Sequence, residues 1–293
     1  MTELCLLCPR NCLVNRNTDK GFCGIGTKPV VAKAFPHFGE EPSISGTKGS
    51  GTVFFSGCNL RCSFCQNNLI SGSGKGWEIE CDQLAQIFLD LQDKGVHNIN
   101  LVSPTHQSDA IHQALKLVKN SLRIPVVWNS GGYDTPEVIE KIAPYIQIWL
   151  PDLKFHSSQL SMKMAGISNY FEKASRAIET MVFHAKPTHI DQDGMMKSGV
   201  MIRHLILPGY SQDSIRLMEW VAGMFGHTVQ MSLMAQYTPM PNAEHAPQRV
   251  LTQKELNRVM EAAAKLGLCN GYFQDLAAAG FELLPVFDGE GVV

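Results

Sequence analysis

At 293 residues, with 44% apolar and 18% charged side chains, the chain is long enough for one large α/β domain with a small appendage, and its composition argues against disorder on a domain scale. The formal net charge is −2 and Lys and Arg form no dense cluster, so the electrostatic footprint of a nucleic-acid partner is missing and none is expected. No run approaches the roughly 18 apolar residues of a membrane span, and Met1-Thr2-Glu3-Leu4-Cys5 lacks the build of a signal peptide; a cytoplasmic protein without membrane association is expected.

Residues 1–50 read as a cysteine-rich amino-terminal segment. Cys5, Cys8, Cys12 and Cys23 lie among Pro9, Gly21, Gly24 and Gly26, in a stretch too short to build its own core. Four thiolates would staple it, either around structural zinc or around a second, fully ligated iron–sulfur cluster; composition does not separate the two. Seven of the nine cysteines cluster in two groups, which favours metal ligation in a reducing compartment over disulfides. Cys81 and Cys269 stand apart and are expected to be inert buried thiols.

From Thr52, short β-rich runs alternate with amphipathic helical stretches, the pattern of βα units around a parallel sheet. Thr52–Phe55 is the first expected strand. A helix opened by Asp82 follows, with Leu84, Ile87, Phe88 and Leu91 on one face and Gly95 as its stop. The other strands are expected at Asn98–Val102, Pro125–Trp128, Ile146–Leu150, Val200–Leu207 and Val229–Met234. Thr135-Pro136 marks a helix start, a helix runs around Tyr170–Phe183, and His189, Asp191, Asp193 and Gly194 sit in a polar loop. Another helix starts near Ser211, and Thr252-Gln253-Lys254-Glu255 is a capping box for the last one. Six such units are too few to close an eight-stranded barrel, so residues 51–268 are expected to form a partial (β/α)6 TIM-type barrel, with 269–293 as a tail packed on it.

Ligands of such sheets bind at the carboxyl ends of the strands. Directly beyond the first strand comes Cys58-Asn59-Leu60-Arg61-Cys62-Ser63-Phe64-Cys65. Three thiolates hold three irons of a cubane that usually takes four, which leaves one iron open for chemistry. Zinc wants a fourth ligand, and neither cysteine nor histidine lies nearby in sequence. Beyond the other strands come Ser103-Pro104-Thr105-His106, Asn129-Ser130-Gly131-Gly132, Asp152 with Lys154, His204 to Gly209, and Gln236-Tyr237. On an extended segment Asp152 and Lys154 point the same way, whereas Arg203 and His204 must face opposite sides.

The C-x3-C-x2-C loop in its Gly57–Asn67 context resembles the radical S-adenosylmethionine (radical SAM) superfamily. Asn100–His106, Trp149–Lys154, Arg203–Gly209 and Ser232–Tyr237 are similar to pyruvate formate-lyase activating enzyme-like proteins over nearly the whole chain. The resemblance implies that Cys58, Cys62 and Cys65 hold a [4Fe–4S] cluster. Its open iron would bind S-adenosylmethionine for reductive cleavage to a 5′-deoxyadenosyl radical, which abstracts hydrogen from a substrate. It further implies an apolar contact from Phe64 and polar ones from Asp152 and Lys154 toward the cosubstrate, and Thr105, Asn129, Ser130, Arg203 and Gln236 are further candidates by their donors and acceptors and their place beyond the strands. The implied partners are an electron donor such as flavodoxin or ferredoxin and a glycyl radical enzyme or peptide substrate. Arg61, between two ligands, is placed to tune the cluster. Where many members carry Gly-Gly-Glu after the second strand, this chain has Ser103-Pro104-Thr105. A different reading is a non-catalytic iron–sulfur or zinc protein for electron transfer, sensing or scaffolding.

Overall fold

The computed structural model describes residues 4–72, 74–241, 243–280 and 285–292. After the cysteine-rich segment come β1 (Val30–His37), a one-turn helix α1 (Pro42–Ser45) and β2 (Ser50–Phe55). The cysteine loop follows, then α2 (Asn68–Ser71), β3 (Trp77–Glu78), α3 (Cys81–Asp93) and β4 (Ile99–Val102). The chain continues through α4 (Ser108–Val118), β5 (Val126–Ser130), α5 (Pro136–Ile142), β6 (Ile148–Pro151), α6 (Ser158–Ala165) and α7 (Tyr170–His184). Next are β7 (His189–Ile190), β8 (Met196–Leu205), α8 (Ser211–Phe225), β9 (Gln230–Met234), α9 (Gln253–Lys265) and β10 (Gly271–Phe273).

Strands β2, β4, β5, β6, β8, β9 and β10 lie side by side in that order, each parallel to its neighbour. On the other flank β1 runs antiparallel to β2, and β3 antiparallel to β1. The result is an α/β partial barrel with a mostly parallel sheet that is not closed. All six expected barrel strands are present. Four segments outside them also join the sheet: β1 from the amino-terminal fifty residues, β3, β7 against β8, and β10 from the tail.

Alternation along each strand sorts the side chains into two layers. Leu101, Trp128, Trp149, Ile202 and Leu233 point outward and pack with Phe88, Ile111, Ile139, Ile178, Leu217 and Val259 from the helices. Val127, Ile148, Leu150 and Met201 point inward and pack around Ile44 of α1. The short helix therefore plugs the barrel interior, and burying Ile44 there contributes roughly 1.5–3 kcal/mol by area transfer. The plug carries Glu40 and Glu41 with it, at the turn that Pro42 begins.

Several local expectations need correction. Helix α3 is opened by Glu80, whose carboxyl accepts from the backbone of Gln83 while the Gln83 side chain accepts from the Glu80 N–H, so Asp82 is a first-turn residue and not the cap. Thr135 holds the N-cap position of α5, but its hydroxyl makes no capping bond and has no partner among the described residues. The polar loop around His189 is a short hairpin: β7 pairs with β8 across a turn in which Asp191 Oδ1 accepts from the N–H groups of Asp193 (3.0 Å) and Met195 (2.9 Å). Helix α6, stopped by Gly166 in the left-handed region, was not anticipated. Cys269 is exposed, and Cys81 is half-buried with its thiol 3.6 Å from Gln113 Oε1; neither is a core thiol.

Candidate active site

The cysteine loop is held at the carboxyl end of β2 by its own backbone geometry. Gly57 has φ +78°, and a Cβ there would lie 2.5 Å from the Cys23 carbonyl oxygen, so only glycine permits the amino-terminal segment to approach this closely. Arg61 pins the loop from outside: Nη1 donates to the carbonyls of Cys58 (2.9 Å), Leu60 (3.1 Å) and Ser71 (3.0 Å), and Nη2 to that of Phe22 (2.8 Å). Its guanidinium is thus a structural clasp beside the thiols.

Cys58, Cys62 and Cys65 all line one cavity of about 260 Å³. Burial pushes the Cys58 thiol up to about 11 and the Cys62 thiol to about 12, and the Lys154 ammonium opposes this at both. Among the described residues no three Cys, His or carboxylate groups converge on a point that would suit one metal ion. A cubane makes no such demand, because each thiolate takes a different iron. Three part-buried thiols lining one cavity, near a fixed cation, fit that donor set.

Below the thiols the cavity has a charged floor. Arg203 projects inward from β8 and donates Nε–H to Asp152 Oδ1 (3.1 Å), Nη1–H to Glu40 Oε2 (2.9 Å) and Nη2–H to Asn129 Oδ1 (2.7 Å). Lys154 Nζ donates to Asp152 Oδ2 at 2.5 Å. All four charged side chains are largely buried, at 10 to 19% exposure, so the Asp152–Lys154 pair is internal and not a surface salt bridge. Burial alone would raise the Asp152 carboxyl, yet Lys154 and Arg203 hold it below the usual carboxylate range. Burial would likewise lower Lys154 and Arg203, and the neighbouring carboxylates reverse this, Asp152 first in each case. Asp152, Lys154 and Arg203 remain ionised together. Glu41, next to Glu40, is different: burial raises its carboxyl, and its Oε2 has no partner among the described residues.

The expected residues mostly converge. Phe64 lines the cavity with its ring edge-on to Phe155 (6.0 Å) and tilted against Tyr237 (6.2 Å). Asn129, Ser130, Asp152, Lys154, Arg203 and Gln236 line it too. The Ser130 hydroxyl is already committed to Asp134 Oδ2 at 2.6 Å. Thr105 does not join them: its hydroxyl donates to buried Asp134 at 2.7 Å, and Ser103, with φ +57°, is the residue that this segment presents to the cavity. His204 faces away, its ring nitrogens 2.6 Å from the Leu153 carbonyl and 2.9 Å from the Ser214 hydroxyl, as a satisfied core histidine.

Glu40 was missed. It sits 163 residues from Arg203 in a segment read as an appendage, and the one available signal was Pro42, which marks a helix start and so a fixed direction for the two glutamates before it. Tyr170 was read only as a helix residue; its hydroxyl accepts from the Lys154 backbone N–H (3.0 Å) and lies 2.9 Å from the carbonyls of Gly131 and Asp152, which locks the two strand ends together.

The family model of the radical SAM superfamily matches residues 52–221. The chain belongs to the radical SAM superfamily. That match runs from β2 to within α8 and includes the three cysteines. Over 279 residues, covering 90% of this chain and 75% of the relative, the chain is 30% identical to the protein named "Uncharacterized protein MJ0674" of Methanocaldococcus jannaschii. Streptococcus suis SuiB bound to S-adenosylmethionine shares the fold at TM-score 0.50 and 16% identity, covering 71% of this chain and 45% of SuiB. SuiB bound to its precursor peptide SuiA also superposes at 0.50, with 12% identity over 75% of this chain and 47% of SuiB. The chain thus spans less than half the length of that structural neighbour. Superfamily membership implies a [4Fe–4S] cluster, S-adenosylmethionine and radical chemistry; no helix among the described residues is long and apolar enough to cross a membrane.

Proposed function

We propose that this radical SAM protein uses Cys58, Cys62 and Cys65 to hold the cluster and abstracts a hydrogen atom from a peptide or protein-borne substrate, a glycyl residue of a partner enzyme being the specific case. The carrying observation is the alignment of the three thiols and the Asp152–Lys154–Arg203 array around one cavity. When bound, the cluster held by Cys58, Cys62 and Cys65 would supply the electron for reductive cleavage of S-adenosylmethionine to methionine and a 5′-deoxyadenosyl radical, and a low-potential donor such as flavodoxin or ferredoxin would restore that electron.

The chain's own residues have simpler tasks. Phe64 gives an apolar wall suited to the adenine face, and Asn129, Ser103 and Gln236 give polar groups for the ribose and methionyl ends. Lys154 and Arg203 are fixed cations for a carboxylate. Likeness to SuiB, which binds the precursor peptide SuiA, supports the peptide class of substrate. The pyruvate formate-lyase activating enzyme-like assignment rests on sequence resemblance in the segments around Asp152 and Arg203.

The amino-terminal cysteines form a second metal centre in this reading. Each of Cys5, Cys12 and Cys23 lies close enough to Cys8 to raise its thiol, which burial, the leading cause, pushes up to about 12. Four thiolates there would hold either structural zinc or a fully ligated cluster. Two such centres require a reducing compartment, consistent with a cytoplasmic location.

The test is isotope transfer. With the reconstituted, reduced protein, S-adenosylmethionine and a deuterated candidate peptide, 5′-deoxyadenosine is expected to gain one deuterium. Deuterium-free product from every peptide, with product still formed, would overturn the peptide assignment.

A further inference from the structure

The superfamily match begins at residue 52, so Glu40 lies outside it, yet Glu40 completes the floor of the cavity. Its Oε2 accepts from Arg203 (2.9 Å), and its Oε1 accepts from the amides of Asn100 (2.9 Å) and Asn129 (3.3 Å). These partners come from three different strands. Glu40 is delivered to them by the plug, which Ile44 anchors in the barrel core.

The charges of this floor balance. Arg203 and Lys154 contribute two positive charges, Glu40 and Asp152 two negative ones, and burial disfavours a charge on neighbouring Glu41. Without Glu40 the floor would carry a net positive charge and would favour a bare carboxylate. With it, the floor holds two cations and two carboxylates in mutual ion pairs. Arg203 has three of its five N–H donors on protein acceptors, which leaves two, while Glu40 and Asp152, each of whose oxygens already accepts a protein hydrogen bond and keeps a further lone pair, line the same cavity.

We propose that Glu40 is a specificity-determining residue that fixes Arg203 and makes the cavity floor selective for a zwitterionic ammonium–carboxylate group over a simple anion. Two ligands carry this chemistry, the methionyl end of S-adenosylmethionine and an amino-acid-like end of the substrate, so the inference rests on the cavity being the cosubstrate and substrate site. At the distances of the Glu40 contacts, one unit charge in a partly buried site is worth about tenfold or more in binding.

The test uses the full protein and a ligand pair that differs only in the ammonium: L-methionine, a zwitterion, and 4-(methylthio)butanoate, its anionic counterpart, each measured by equilibrium dialysis. The wild type is expected to prefer methionine. Glu40→Gln is expected to reduce that preference by about tenfold, weakening methionine while strengthening the anion, and Glu40→Asp to retain most of it. Damage to the fold would weaken both ligands together, so opposite signs are the signature. An unchanged preference in Glu40→Gln, or parallel loss of both ligands with an unchanged melting temperature, would overturn the proposal. Dialysis of S-adenosylmethionine separates the two sources. A parallel weakening in Glu40→Gln assigns the floor to the cosubstrate, and unchanged affinity alongside a shifted methionine preference assigns it to the substrate. Formation of 5′-deoxyadenosine by the wild type is scored separately, so failure of the radical chemistry and failure of this selectivity are distinguishable.

Discussion

Arg61 closes the cysteine loop onto the amino-terminal segment by donating Nη2–H to the Phe22 carbonyl at 2.8 Å while its guanidinium lies 4.6 Å from the Phe22 ring centroid. Arg10 approaches the same ring at 3.7 Å and donates Nε–H to the Asn59 carbonyl at 2.8 Å. One aromatic ring thus lies between two guanidinium groups that both reach the loop bearing Cys58.

This arrangement makes Phe22 a joint between the two cysteine groups. Phe22→Ala removes two cation–π contacts and is expected to cost about 1–2 kcal/mol. Because the loss falls on the loop, iron retained by the reconstituted protein should drop along with the melting temperature. Undiminished iron in a destabilised variant would show that the joint serves only the amino-terminal segment.

Arg61→Lys keeps the charge but not the fork. Four carbonyls share the Arg61 guanidinium, and a lysine ammonium has only three donors on a flexible stem. The expected outcome is partial cluster loss and a melting temperature lowered by the equivalent of about 1–3 kcal/mol, since each orphaned buried carbonyl carries a desolvation penalty. Wild-type iron content in Arg61→Lys would assign the residue a purely electrostatic role.

Gly132 is required by geometry at the far side of the site. It has φ +75°, and a Cβ there would lie 2.1 Å from the Asp152 carbonyl oxygen. Gly132→Ala should therefore displace the segment carrying Asp152 and Lys154. Left-handed strain alone contributes about 1–3 kcal/mol, and the clash adds to it. Thermal denaturation together with S-adenosylmethionine affinity checks this; a variant unaltered in both would contradict the close approach.

Acid sensitivity follows from His106. Burial lowers its pKa to about 4 from an ordinary 6.5, and a ring nitrogen lies 2.7 Å from the Ser56 carbonyl at the start of the cysteine loop. Between about pH 6.5 and 4 the unfolded chain holds a proton here that the folded one does not, so stability rises with pH in that window and is complete above it. The swing amounts to about 3 kcal/mol. Buried Asp134, whose carboxyl is raised by desolvation, works in the opposite direction, so the comparison must be with His106→Gln, which lacks this titration. The difference in unfolding free energy between wild type and variant should change over pH 4–6.5; a constant difference would contradict the assigned shift.

Much of the fold was legible because local patterns and the final sheet agree. The apolar run ending in Phe55, followed at once by three cysteines, places the loop at a strand end, and the two-residue spacing of Asp152 and Lys154 puts both on one side. The sequence did not reveal how the interior is closed. Glu40 belongs to a plug whose partners Asn100, Asn129 and Arg203 are brought in only by tertiary packing. Helix α6 was missed because its buried side includes Ser161 and Ala165, a weak apolar stripe. The β7–β8 hairpin was hidden by exposed His189 and Ile190, which carry no alternation. Thr105 was placed at the cavity by its position alone; the buried Asp134 carboxylate, which its hydroxyl reaches, could not be anticipated without coordinates.

The central claim is that Cys58, Cys62 and Cys65 hold the cluster that cleaves S-adenosylmethionine. The most direct measurement is anaerobic reconstitution of the wild type and of Cys58→Ala, Cys62→Ala, Cys65→Ala and Cys5→Ala, followed by reduction with dithionite, addition of S-adenosylmethionine and quantification of 5′-deoxyadenosine. The wild type should form the product, each loop variant should form none, and Cys5→Ala should retain product at reduced stability. Absence of 5′-deoxyadenosine from a wild-type sample verified to contain the [4Fe–4S] cluster would contradict the account and favour a non-catalytic iron–sulfur protein.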